Sequence, residues 1–280
     1  MRASSFSPRT CSTPNPTTGQ PTGAGFLWDH GKIQVILTPL GGTQISPYRL
    51  NNRGQVVGSA NLAGDAFPGH PFLWENGVFT DLGTFGGTQG IAQEVNEAGQ
   101  VAGNASFPGD IIFHGFLWEN GVKTDLVPLS GDPCSQTYGM NSSGQVVGWS
   151  GACDLSTLRA VLWEKGGPAI DLNTRVPANS GISLFAATNI NDRGEIGGEG
   201  VLPNGDLHVF LLIPCGTDNT EGCQEATAGA TAATQVSPAP AMQRAPTVNS
   251  AFPGATNPML RSFGRRLMPW YRGLGAQPPK

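Results

Sequence analysis

Short runs of consecutive apolar residues recur along this chain at a near-constant step, separated by polar stretches rich in glycine. Phe26-Leu27-Trp28, Phe72-Leu73-Trp74, Phe116-Leu117-Trp118 and Val161-Leu162-Trp163 are four copies of one run, and Phe210-Leu211-Leu212 is a fifth. The steps between successive tryptophans are 46, 44 and 45 residues. A second motif keeps the same beat. Asn51-Asn52-Arg53-Gly54-Gln55-Val56-Val57-Gly58 returns at 96–103, 141–148 and 191–198, so Asn51, Asn96, Asn141 and Asn191 pair with Gly54, Gly99, Gly144 and Gly194.

One unit reads as four short strands. The first is the Phe-Leu-Trp run, whose consecutive apolar residues fit a strand buried on both faces. It turns at Asn76-Gly77 or Asn120-Gly121, and Asn-Gly accepts the positive φ of a type I′ hairpin. The second strand is 78–82, matched by 122–126 and 169–172. The third ends just before the Asn, and Asn-x-x-Gly then turns into the fourth. A four-stranded unit near 45 residues predicts an all-β fold, a β-propeller of four-stranded antiparallel blades. It would hold four complete repeats (about 24–68, 69–113, 114–158 and 159–206) plus one extra strand at 207–214. The stretch between the fourth strand and the next Phe-Leu-Trp run reads as the inter-blade connection, which makes Phe-Leu-Trp the innermost strand.

These residues resemble the bacterial HAF extracellular repeat, named for a His-Ala-Phe run. The matching positions here are His70-Pro71-Phe72, His114-Gly115-Phe116 and His208-Val209-Phe210, so the His and Phe are kept and the Ala is not. The fourth unit has Arg159-Ala160-Val161, and the first has Ala24-Gly25-Phe26, without the His. The resemblance covers about residues 24–214. It implies an extracytoplasmic repeat protein, extracellular or periplasmic, and implies no reaction, since the family's function is unassigned.

Composition supports the strand reading. Gly numbers 40 and Pro 23, both poor helix formers, while charged residues make up 13%. The net charge of −4 hides a split. Beyond Cys223 stand Glu225 and six bases, a balance of +5, which leaves −9 for the first 223 residues. An acidic body is a poor nucleic-acid surface. No apolar run reaches the ~18 residues of a membrane span, and no export signal precedes the repeats. Residues 1–23 read as coil that supplies no strands. The functional chain is therefore expected to begin upstream of Met1. Residues 224–280 read as a disordered low-complexity tail with a basic end, because Ala, Thr, Pro and Ser bury too little to offset ordering entropy.

Five cysteines are present. Cys134 and Cys153 flank the third Asn-x-x-Gly hairpin, and Cys215 and Cys223 bound a short polar loop. Two local disulfides are expected, implying an oxidising compartment.

The repeated tryptophans Trp28, Trp74, Trp118 and Trp163 read as core. His70, His114 and His208 could converge on a metal, but residues repeated in every unit serve the unit, and no carboxylate is seen to orient them. Asp81, Asp125 and Asp171 also repeat and read as turn-bonding groups. An active site must break the symmetry, so Asp65, Asp110, Asp132, Glu94 and Glu199 are the polar candidates. Trp149 stands where other units have Ser59 or Asn104, and an aromatic there could stack on a sugar. Trp149, Asp110 and Glu199 are thus the ligand-binding candidates. No cofactor motif appears. The leading function is a non-catalytic module binding a ligand, a glycan or a surface protein. The alternatives are a polysaccharide-acting enzyme built on loop carboxylates, or a truncated gene fragment.

Overall fold

The structure, a computed structural model, describes residues 11–14, 21–63, 69–177 and 179–214, with the side chains of 11–14 and 21–22 left aside. The elements are β1 (Cys11–Pro14), β2 (Pro21–Thr22), β3 (Gly25–Asp29), β4 (Lys32–Ile36), β5 (Gly41–Leu50), β6 (Val56–Leu62), β7 (His70–Glu75), β8 (Val78–Asp81), β9 (Gly90–Val95), β10 (Val101–Ser106), β11 (Phe113–Glu119), β12 (Val122–Leu126), β13 (Cys134–Met140), β14 (Gln145–Gly151), β15 (Leu158–Glu164), β16 (Ala169–Asp171), β17 (Ser183–Ile190), β18 (Ile196–Val201) and β19 (Leu207–Leu212). A 3-10 turn at Leu172–Arg175 follows β16. All strand pairs are antiparallel.

The chain is all-β, a series of antiparallel sheets, three of them four-stranded. The sheet orders are β3-β4, β5-β6-β7-β8, β9-β10-β11-β12, β13-β14-β15-β16 and β17-β18-β19. A further short pair, β1-β2, lies within the span read as coil, which corrects that expectation.

The sheets are out of phase with the sequence repeat. Each four-stranded sheet joins the Asn-x-x-Gly hairpin of one repeat to the Phe-Leu-Trp hairpin of the next. In the second of them, Gly103 of β10 lies opposite Phe116 of β11. The stretch taken for the inter-blade connection is a within-sheet hairpin loop. It is pinned at 107–112, where Phe107 N–H donates to Ile112 O and Asp110 N–H to Phe107 O. The chain passes between sheets one hairpin later, at 82–89 and 127–133. The two kinds of loop differ little in length, so length was a poor guide. In β7, β11, β15 and β19 the repeated apolar run is therefore the third strand of its sheet. The first strands β5, β9, β13 and β17 touch one another in sequence and form the inner side.

Local chemistry fixes the turns as expected. Asn76 and Gly77 have φ of 50° and 85°, and Asn120 and Gly121 have 50° and 86°, the left-handed pair a type I′ turn demands. His30 and Lys165 take the same conformation before their glycines. In each Asn-x-x-Gly turn the Gly φ is positive and its N–H donates to the Asn carbonyl.

Packing between sheets has one polarity. Phe72, Trp74 and Val56 on one face of the β5–β8 sheet pack on Leu27 and Ile36 of the β3-β4 hairpin. Val57 and Leu73, on the other face, meet Phe116, Trp118 and Val101 of the next sheet. Ala102 and Leu117 then meet Trp163, Val146 and Val161, and Val147 and Leu162 meet Phe210, Leu212 and Ile196. A strand with apolar residues on both faces is what such serial stacking requires. Burying one side chain such as the fully enclosed Phe116 contributes roughly 2–3 kcal/mol.

Trp74 and Trp163 are core, and Trp118 is half-buried against it. Trp28, read as core, is 61% exposed, because no described sheet covers the Phe-Trp face of β3-β4. Cys134 and Cys153 form a disulfide, with Cα atoms 5.2 Å apart. Cys134 lies opposite Gly151, and the turn at 152–155 brings Cys153 back over it. Cys215, Cys223, the tail at 224–280 and Asp65 lie outside the described residues.

Candidate functional site

The repeated polar residues bind the scaffold together. Asn96 is buried, and its Oδ1 accepts from the N–H groups of Ala98 and Gln100, capping its own turn. Its Nδ2 donates to Gln100 Oε1 at 2.7 Å and to Asn141 O, one repeat ahead, at 3.2 Å. Asn51 reaches Asn96 O in the same way, and Asn141 reaches Asn191 O. Four successive turns are thus laced by three bonds along the inner side. Asn191, the last of the four, is exposed and bonds Glu195 within its own turn.

The repeated histidines and aspartates pair with each other. His70 Nδ1 lies 2.9 Å from Asp81, and His114 Nδ1 lies 2.8 Å from Asp125, across the third and fourth strands of each sheet. In the next sheet Arg159 takes the His position and lies 3.6 Å from Asp171. The carboxylate partner expected to be missing is therefore present. Both residue types repeat, eleven positions apart, and that shared spacing was the signal for the pairing. Burial raises the Asp81 carboxyl, but bonds from His70 and the Gly83 N–H, with the charges of His70 and Lys123, outweigh it and hold it below its ordinary value. His208 is exposed on β19, in a sheet where no fourth strand is described. Among the described residues no cluster of His, Cys, Asp or Glu could hold a metal ion.

The symmetry-breaking candidates are placed apart. Trp149 is 1% exposed, edge-on to Phe113, and donates from Nε1 to Tyr138 Oη, so it offers no face to a sugar. Its partner sits at a bulge of the inner strand, where Gln93 likewise meets Asn104. Burial pushes the Tyr138 hydroxyl well above its ordinary value, with the bond from Trp149 opposing and the charge of Glu199 adding to the rise. Glu199 is half-buried at the equivalent position of β18. Glu94 pairs with Arg49 at 3.0 Å. Asp110 accepts from Thr88 N, Thr88 Oγ1 and Ser106 Oγ, so it ties the 107–112 loop to the connection before β9.

One groove of about 420 Å³ lies beside these loops, between the second and third four-stranded sheets. Phe107, Ile112, Val127 and Pro128 form an apolar wall, with His114 and Asp132 at its margin. Its walls are held firmly. Phe107 stacks on Phe85 at 5.0 Å and meets the His114 ring edge-on at 4.8 Å. His114 Nε2 also lies 3.3 Å from Pro133 O. Asp132 accepts from Ser150 Oγ at 2.6 Å and from Arg159 at 2.8 Å. The disulfide begins one residue after Pro133. Ile111, Ile112 and Val127 stay 75%, 42% and 54% exposed along this edge. Ile111, Ile112 and Val127 were missed because their loops carry different residues in each repeat, so neither periodicity nor polar chemistry marks them.

No family model matches the chain, and no curated protein matches it. A solved structure does. A mutant of the lectin of Aleuria aurantia, in complex with Fucα1-6GlcNAc, aligns at 13% identity over 68% of this chain and 67% of that one, with a TM-score of 0.33. That likeness is too slight to carry an inference about a ligand. The HAF resemblance gains no support from these comparisons.

Proposed function

We propose that this chain is a non-catalytic binding module that works outside the cytoplasm and holds an apolar stretch of a protein partner in the groove at Phe107, Ile112 and Val127. The observation that carries it is the exposed aliphatic edge of Ile111, Ile112 and Val127 on loops pinned by Asp110, Asp132 and the disulfide. Rigid walls lower the entropy lost on binding, and a desolvated apolar centre is where interfaces gain most of their energy. Asp110 and Asp132 each accept several bonds that hold loops in place, which favours binding over acid–base work. The Phe107 ring is engaged by Phe85 and His114, which favours a peptide side chain over a stacked sugar. A disulfide fits an oxidising compartment. No helix among the described residues is long and apolar enough to cross a membrane.

The test compares wild type with Val127→Glu against a displayed peptide library and a glycan array. Wild type is expected to enrich peptides with an apolar core. Val127→Glu should reduce that enrichment by about tenfold, the loss of one buried apolar anchor, with no change in thermal midpoint. Val127-dependent capture of glycans would replace the protein partner by a sugar. Absence of Val127-dependent binding to either would overturn the groove as a site.

A further inference from the structure

We propose that copies of this chain associate head to tail, with the Phe-Trp face of β3-β4 in one copy seated on the Leu face of β17–β19 in another. The interface is one the chain already builds four times within itself. At every internal junction the Phe-Trp face of one sheet packs on the Leu face of the sheet before it. Phe72 and Trp74 are 0% and 5% exposed there, and Leu73 and Leu117 are 6% and 5% exposed.

Among the described residues, two halves of that junction stand open. On the first, Phe26 pairs across the hairpin with Val35, and Trp28 with Ile33. These four residues form one face, exposed by 48%, 52%, 61% and 65%. The opposite face, with Leu27 and Ile36, is packed on the next sheet. On the second, Leu207, Val209 and Leu211 alternate along β19 on the face away from Phe210 and Leu212, and they are 49%, 85% and 62% exposed. Gly197 lies opposite Leu211, where the inner sheets carry Val57, Ala102 and Val147. A Cβ there would have nothing nearer than 4.0 Å, so the backbone beside Leu211 is bare and unobstructed. An indole projecting from the first face has room to lie beside Leu211, over the bare backbone of Gly197. Glu199 lies opposite Val209, so the second face is apolar along β19 and carries one half-buried carboxylate beside it; exposed apolar strands of this kind mark association sites. The two faces differ, so the contact is heterologous, and it propagates into a ring or a filament rather than stopping at a symmetric pair. A second copy carries both halves at equal concentration, which no other partner is bound to do.

The experiment is sedimentation velocity on the full chain at several concentrations, with Trp28→Glu and Val209→Glu as end-specific variants. Both positions are exposed, and unchanged thermal midpoints would show that both variants fold. The wild type is expected to sediment at twice the mass of one chain or more, rising with concentration. Each variant alone should run as a single chain. An equimolar mixture of the two should form dimers and nothing larger, because one intact face of each kind remains and both outer faces are blocked. A wild type that stays monomeric at every concentration would overturn the proposal. So would dimers that survive either variant alone, or a mixture that fails to associate.

Discussion

Gly103→Ala is expected to cost about 3 kcal/mol, near the top of the range for overpacking a core, and to lower the urea midpoint accordingly. A methyl at Gly103 would lie 2.1 Å from Ile91 O and 2.7 Å from the Phe116 ring. The first contact is with backbone, which cannot rotate away. The crowding follows from the fold. The inner strand bulges at this point, since Glu94 pairs with Ala102 but Ala92 with Gly103. The bulge drives a carbonyl toward the second strand while Phe116 fills the other side. Gly58 and Gly198 meet the same arrangement, with Ser46 O at 2.0 Å and Ala186 O at 2.2 Å. The final glycine of the repeated motif is therefore a packing requirement. Gly121→Ala is the control. Nothing lies within 4 Å of its Cβ, and its φ of 86° costs only about 1–2 kcal/mol of backbone strain. Urea unfolding of both variants checks the difference.

Asn96→Ala is expected to cost roughly 3 kcal/mol, from several hydrogen bonds worth about 1 kcal/mol each net and more where a buried partner is left unmade. Its side chain makes four, to Ala98 N, Gln100 N, Gln100 Oε1 and Asn141 O. The last crosses to the next repeat, so the loss is felt between sheets as well as within the turn. Asn191→Ala removes the same cap at an exposed turn that reaches no further repeat, and about 1 kcal/mol is expected. Equal losses at the two positions would show that the inter-repeat bond contributes nothing. Chemical denaturation with matched slopes resolves the comparison.

The repeat, the hairpin turns and the all-β series could be read from the residues because each has a local cause. Asn-Gly sets its own φ, and consecutive apolar residues demand burial on two faces. The phase of the sheets was not legible. Which of two loops of similar length crosses between sheets depends on side chains far apart in sequence, such as Phe116 against Leu73 and Asp110 against Thr88. Trp28 misled for a related reason. Burial of a repeated residue depends on a neighbouring sheet, and at the end of a series that neighbour is absent from the described residues. His70 and Asp81 were each noticed but not joined, because pairing across a hairpin needs the register. The groove was invisible because Ile112 and Val127 look like ordinary loop aliphatics until the disulfide and Asp132 hold their loops beside each other.

The staggering of sheets across repeats is tested most directly by cross-strand nuclear Overhauser effects on isotopically labelled protein. Backbone contacts are expected between β10 and β11, at Val101 with Trp118 and Gly103 with Phe116, and none between β12 and β13. Contacts joining 122–126 to 134–140, with none between β10 and β11, would mean that each sheet is one sequence repeat and would contradict the staggered fold.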